Sequence, residues 1–71
     1  MSTPTTTQLA SLAGEIAKGS DGLRRRAALC VALACSSRNS VDGALEYLND
    51  IDVPDIRAAS RALLTELAGG V

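Results

Sequence analysis

Residues 27–35 read Ala27-Ala28-Leu29-Cys30-Val31-Ala32-Leu33-Ala34-Cys35, nine apolar side chains in a row. A membrane span needs about 20 such residues, so the run predicts a buried helical segment rather than a transmembrane one. Ser20 or Asp21 is placed to cap this helix, Arg24, Arg25 and Arg26 open it, and it extends to about Ser37. A helix that is apolar on every side must be surrounded. The run is therefore either the central helix of the fold, or one of its faces belongs to an oligomer interface. Its alanines, Ala27, Ala28, Ala32 and Ala34, let neighbouring helices approach closely.

The flanking sequence supplies three further helices. Thr5 and Gln8 have the spacing of a capping box, and Leu9, Leu12, Ala13, Ile16 and Ala17 then fall on one helical face. Gly19 suits the C-terminal cap. Gly14, inside that helix, costs about 1 kcal/mol relative to Ala, so the helix depends on tertiary support. Ser40 caps a short third helix carrying Val41, Ala44, Leu45 and Leu48, and residues 49–52 form the turn after it. Pro54 fits the first position of a fourth helix, where its missing N–H is not needed, and Asp55 favours the positive end of that helix. Ile56, Ala59, Ser60, Leu63, Leu64 and Leu67 follow as the clearest amphipathic stripe in the chain, which Gly69 and Gly70 end. No segment alternates with a period of two, so no strand is expected. Residues 1–7, polar and Thr-rich, are expected to form a flexible tail, and residues 8–69 a single helical domain.

A faint internal duplication supports this division. An offset of 34 pairs Asp21 with Asp55, Ala28 with Ala62, Leu29 with Leu63 and Leu33 with Leu67, while an offset of 32 pairs Leu9 with Val41, Ala13 with Leu45 and Ile16 with Leu48. The expected fold is all-α: a compact four-helix domain built as two helical hairpins around a central apolar helix. The stretch Asp52-Val53-Pro54-Asp55-Ile56-Arg57-Ala58-Ala59, continuing to Leu63, Leu64 and Leu67, resembles the second helix of a HEAT-type repeat. Asp21-Gly22-Leu23-Arg24, continuing through Ala27 and Ala28, has the same likeness. The resemblance spans residues 9–68, although the chain holds two hairpins where solenoids usually stack at least about three. It implies a protein-binding surface and no catalysis.

Composition narrows the function classes. The 71 residues include no His, no Phe and no Trp, and Tyr47 is the single aromatic side chain. Without His there is no Ser/His/Asp or Cys/His catalytic unit and no imidazole metal ligand. Cys30 and Cys35 are too few for a structural zinc site. None of the six glycines falls into a phosphate-binding pattern, and one aromatic residue cannot make a base-stacking platform. The sequence is accordingly read as non-enzymatic, with no cofactor and no metal. Five residues apart on one helix, the two cysteines lie about 7.5 Å apart along its axis, beyond disulfide reach. Residues 1–8 contain no Lys or Arg and no apolar core, unlike a secretory signal, and a cytoplasmic location with reduced thiols is expected.

Charge is polarised although the net value is −1. Lys18, Arg24, Arg25, Arg26 and Arg38 outweigh Glu15 and Asp21 in the first 38 residues, giving +3. Asp42, Glu46, Asp50, Asp52, Asp55 and Glu66 outweigh Arg57 and Arg61 in the remainder, giving −4. The favoured arrangement pairs these halves within one molecule; the alternative sets a basic edge against an acidic edge of another copy or partner. Arg24, Arg25 and Arg26 fan over about 200° of helix and stand against the helix dipole, which marks them as candidates for contact with an anionic partner. Tyr47 is a candidate interface anchor.

A core of this size rarely contributes more than about 3–5 kcal/mol, so burying apolar excess against a second copy is the expected solution, with Leu29, Val31 and Leu33 shared between core and interface. The function expected is that of a protein–protein interaction module: a small adaptor, inhibitor or oligomerising subunit, with Arg24, Arg25, Arg26 and Tyr47 as contact residues and a homodimer or higher oligomer as the form. The alternative is a small DNA-binding regulator whose helix-turn-helix comprises the third and fourth helices, with Arg57 and Arg61 toward DNA. Against it, Glu46 occupies the crowded small-residue position of that motif, and Asp42, Asp50 and Asp52 would repel phosphates.

Overall fold

The computed structural model describes residues 4–69. Helix α1 begins where the Thr5–Gln8 spacing places it. The Thr5 Oγ1 accepts the Gln8 N–H at 3.1 Å, and the Thr5 N–H donates to Gln8 Oε1 at 2.8 Å. Two of the otherwise unpaired N–H groups at the helix start are thereby satisfied. Helix α1 spans Thr6–Lys18, so Thr6 and Thr7, placed in the expected tail, are helical. The tail expectation for residues 1–3 lies outside the described residues. Gly19 caps the C-terminus with φ −97°, so the cap does not use a left-handed conformation.

Helix α2 spans Gly22–Ser37. Neither proposed side chain caps it: Asp21 occupies the N-cap position without a side-chain hydrogen bond. The turn is made instead by Gly22, at φ +60°, the one described residue with positive φ. Helix α3 spans Val41–Asn49, capped as expected by the Ser40 Oγ, which accepts the Gly43 N–H at 3.0 Å. Helix α4 spans Pro54–Gly69, with Pro54 at its first position and the Val53 carbonyl accepting the Arg57 N–H at 2.9 Å. Among the described residues there is no strand.

Helix α2 is the central helix. It packs along α1, and also against α4 and α3, whereas α1 barely meets α4. Helix α4 leans more on α2 than on α3, because α3 has only 9 residues and little surface to offer. This arrangement is consistent with two hairpins, the first tighter than the second. The core combines Leu9, Ala13 and Ala17 from α1, Ala28, Val31, Ala34 and Cys35 from α2, Ala44 and Leu48 from α3, and Leu63 and Leu64 from α4. The alanines at the crossings let α1 and α2 come close. The radius of gyration, 10.7 Å, matches the value of about 11 Å for a compact chain of this length.

Candidate protein-binding surface

Helix α2 is central without being enclosed. Its three neighbours cover the arc of Ala27, Ala28, Val31, Ala34 and Cys35, and none reaches the opposite side. At 100° per residue, Leu29 and Leu33 each lie about 160° from Val31. Val31 is fully buried, while Leu29 and Leu33 are 46% and 58% exposed. The apolar excess expected to be shared between core and interface thus divides cleanly: Val31 points in, Leu29 and Leu33 point out. Leu33 follows Leu29 by one turn, so the two form one stripe.

The three arginines divide in the same way. All are exposed in the first turn and a half of α2. Arg25 and Arg26 precede Leu29 by four and three residues and share its outward face, whereas Arg24 lies on the far side of the helix. Asp21 at the N-cap is the acidic residue at this end of α2, and the first turn itself holds none. The outward surface therefore runs from Arg25 and Arg26 through Leu29 and Leu33 to Ser36 and Ser37.

Tyr47 belongs to a different place. It is half-buried on α3 and packs against the core, and the Arg38 guanidinium lies over its ring, 5.4 Å from the centroid. Such a cation–π contact holds both groups together. Arg38, Tyr47, Asp50 and Ile51 line a shallow open groove at the α3 end of the molecule. Arg38 follows Arg26 by 12 residues, about 18 Å along the α2 axis, so the structure does not bring Tyr47 together with the arginine run. Sequence reasoning did not single out Arg38. The signal available was Gly43: a Cβ there would sit 3.3 Å from the Arg38 Cβ, so the glycine makes room for the arginine stem.

The favoured pairing of the charged halves is not realised. Among the described residues the one ion pair is Lys18 with Glu15, at 3.5 Å within α1, and none joins the basic half to the acidic half. The reason is the phase of α3. Asp42, Glu46 and Asp50 recur every four residues on its solvent side, while Ala44 and Leu48 face the core. Asp42 and Glu46 consequently face solvent, and Asp50, which shares a groove with Arg38, forms no ion pair with it. Of the arginines assigned to the DNA alternative, Arg57 is half-buried and its Nη1 donates to the Ile51 carbonyl at 2.9 Å, bracing the α3–α4 turn. Arg61 is exposed.

Both thiols are free. Cys35 is buried on α2, and burial pushes its pKa up; Cys30 is half-buried. Among the described residues no three potential metal ligands converge, and no helix is long and apolar enough to cross a membrane. No family model matches this chain, and no curated protein or solved structure matches it either.

Proposed function

We propose that the chain is a non-enzymatic, cytoplasmic protein–protein interaction module that presents the outward face of α2. One observation carries the reading: Leu29 and Leu33 stand exposed in mid-helix on the most apolar segment of the chain. Single exposed leucines are ordinary on protein surfaces; two in register, bordered by Arg25 and Arg26, are the composition of an interface centre and its rim. Arg25 and Arg26 supply the basic edge, and Arg24 and Tyr47 fall outside this face.

The DNA-binding alternative has less support. Arg57 is occupied in the turn, and the outer side of α3 carries Asp42, Glu46 and Asp50, which phosphates would repel.

The test is affinity capture from the extract of the parent cell, with the wild-type chain and the Leu29→Gln/Leu33→Gln variant as baits. Both baits are first checked for equal helicity by circular dichroism. A protein held by the first and lost from the second supports the reading. Equal capture by both overturns it, as does duplex DNA retained by both at low salt and released at high salt.

A further inference from the structure

We propose that the groove between the ends of α2 and α3 binds a small zwitterion, a free α-amino acid with an aliphatic side chain. Its carboxylate pairs with Arg38 and its ammonium with Asp50. The site is separate from the outward face of α2 and goes beyond the interaction reading above.

The first ground is that Arg38 is held in place. It follows the last turn of α2 on extended backbone and is exposed. A long basic side chain in such a position ordinarily keeps its rotamer freedom. Here two features fix it. The guanidinium lies over the Tyr47 ring, 5.4 Å from the centroid. The stem runs past Gly43, where a Cβ would approach the Arg38 Cβ to 3.3 Å and its Cδ to 3.5 Å. Glycine within a helix costs about 0.5–1 kcal/mol relative to alanine, and α3 carries one in only 9 residues. Stem and ring are thus engaged, yet among the described residues the guanidinium makes no hydrogen bond and no ion pair. A guanidinium fixed in this way, with its N–H edge free, is preorganised for bidentate binding of a carboxylate.

The second ground is Asp50, and it selects the class of ligand. Asp50 lines the same groove, is exposed and forms no ion pair with Arg38. It is the C-cap of α3, at the negative end of the helix, and the last turn holds no basic residue. A carboxylate placed there gains from a cation brought beside it. A simple anion is attracted by Arg38 and repelled by Asp50; for a simple cation the signs reverse. Phosphates are repelled further by Asp42 and Glu46 on the same helix. A molecule carrying carboxylate and ammonium on one carbon is attracted by both groups.

The third ground is shape. The groove has a volume of about 370 Å³, within the range of small-molecule sites. Half-buried Ile51 and the Tyr47 ring give it an apolar wall for an aliphatic side chain. That wall is braced, because the Ile51 carbonyl accepts the Arg57 Nη1–H at 2.9 Å. The groove is open on one side, so part of the ligand stays in water and affinity falls in the millimolar range.

The test is a titration of the isotope-labelled full chain with L-leucine, followed by heteronuclear NMR up to about 50 mM. Saturable shifts are expected at the amides of Tyr47, Asp50 and Ile51 and at the Arg38 Nε–H, with a dissociation constant of about 1 mM. Isocaproate lacks the ammonium and isoamylamine lacks the carboxylate; each binds about tenfold or more weakly. Arg38→Gln and Asp50→Asn, both at exposed positions and checked for unchanged helicity, each lower the leucine affinity about tenfold or more. No saturable shift at the groove over the whole range overturns the proposal and leaves the reading of the α2 face untouched. Isocaproate binding as tightly as leucine also overturns it, since the groove is then a plain anion site. So does leucine binding that neither substitution weakens.

Discussion

Gly22 offers the sharpest test of the chain path into α2. Its φ of +60° lies in the left-handed region, where an L-residue with a Cβ is strained by about 1–2 kcal/mol. A Cβ built at Gly22 meets nothing within 4 Å, so the substitution Gly22→Ala brings backbone strain and no clash. Alanine also narrows the unfolded ensemble, which returns about 0.4–1 kcal/mol. The balance is a loss of about 1 kcal/mol, or a fall in melting temperature of roughly 4–8 °C for a domain of this size. Gly14→Ala serves as the internal control. Gly14 lies inside α1 without positive φ, and its Cβ would also meet open space, so there alanine adds about 0.5–1 kcal/mol of stability. The same chemical change thus has opposite signs at two positions in one protein. Urea titrations followed at 222 nm, compared through their midpoints at a shared slope, measure both. If Gly22→Ala stabilises the chain as Gly14→Ala does, residue 22 is not left-handed and the α1–α2 connection is other than described.

Two further predictions concern the core. Leu64→Ala, at a fully buried site, costs about 2–5 kcal/mol, comparable to everything a core this small supplies, and leaves the chain largely unfolded by circular dichroism; Leu33→Ala, at a position 58% exposed, costs under about 1 kcal/mol, and equal losses would show the two leucines to be wrongly placed. Burial raises the Cys35 pKa, so folding favours its neutral thiol: this contribution is complete below the ordinary thiol value of about 8.5 and is lost as pH climbs above it toward the raised folded value. Denaturation at pH 7 to 10 should show a steeper decline for the wild type than for Cys35→Ala, and parallel declines would remove Cys35 as the cause.

The elements were legible in the sequence because each carries a local signal. The Thr5–Gln8 capping box, Ser40 and Pro54 mark helix starts by hydrogen bonds made within a few residues, and all three operate as read. The start of α2 departed from its reading because Asp21 and Ser20 compete with a glycine two residues on at most. Which residue makes a turn depends on the angle at which the next helix must leave, and that angle is set by packing against α1.

Sequence alone determined that the chain is all-α and pointed to the nine-residue apolar run as its central helix. These follow from periodicity, capping chemistry and the absence of any alternating segment, all properties of neighbours along the chain. Tertiary structure alone decided which side of α2 stays uncovered, that Val31 turns inward while Leu29 and Leu33 turn outward, and that Arg25 and Arg26 join those leucines without Arg24 or Tyr47. It also decided that the acidic stripe of α3 faces solvent instead of the basic half. An apolar run is the same from every direction along a helix, so its own sequence holds no phase; the phase comes from where α1, α3 and α4 are able to pack.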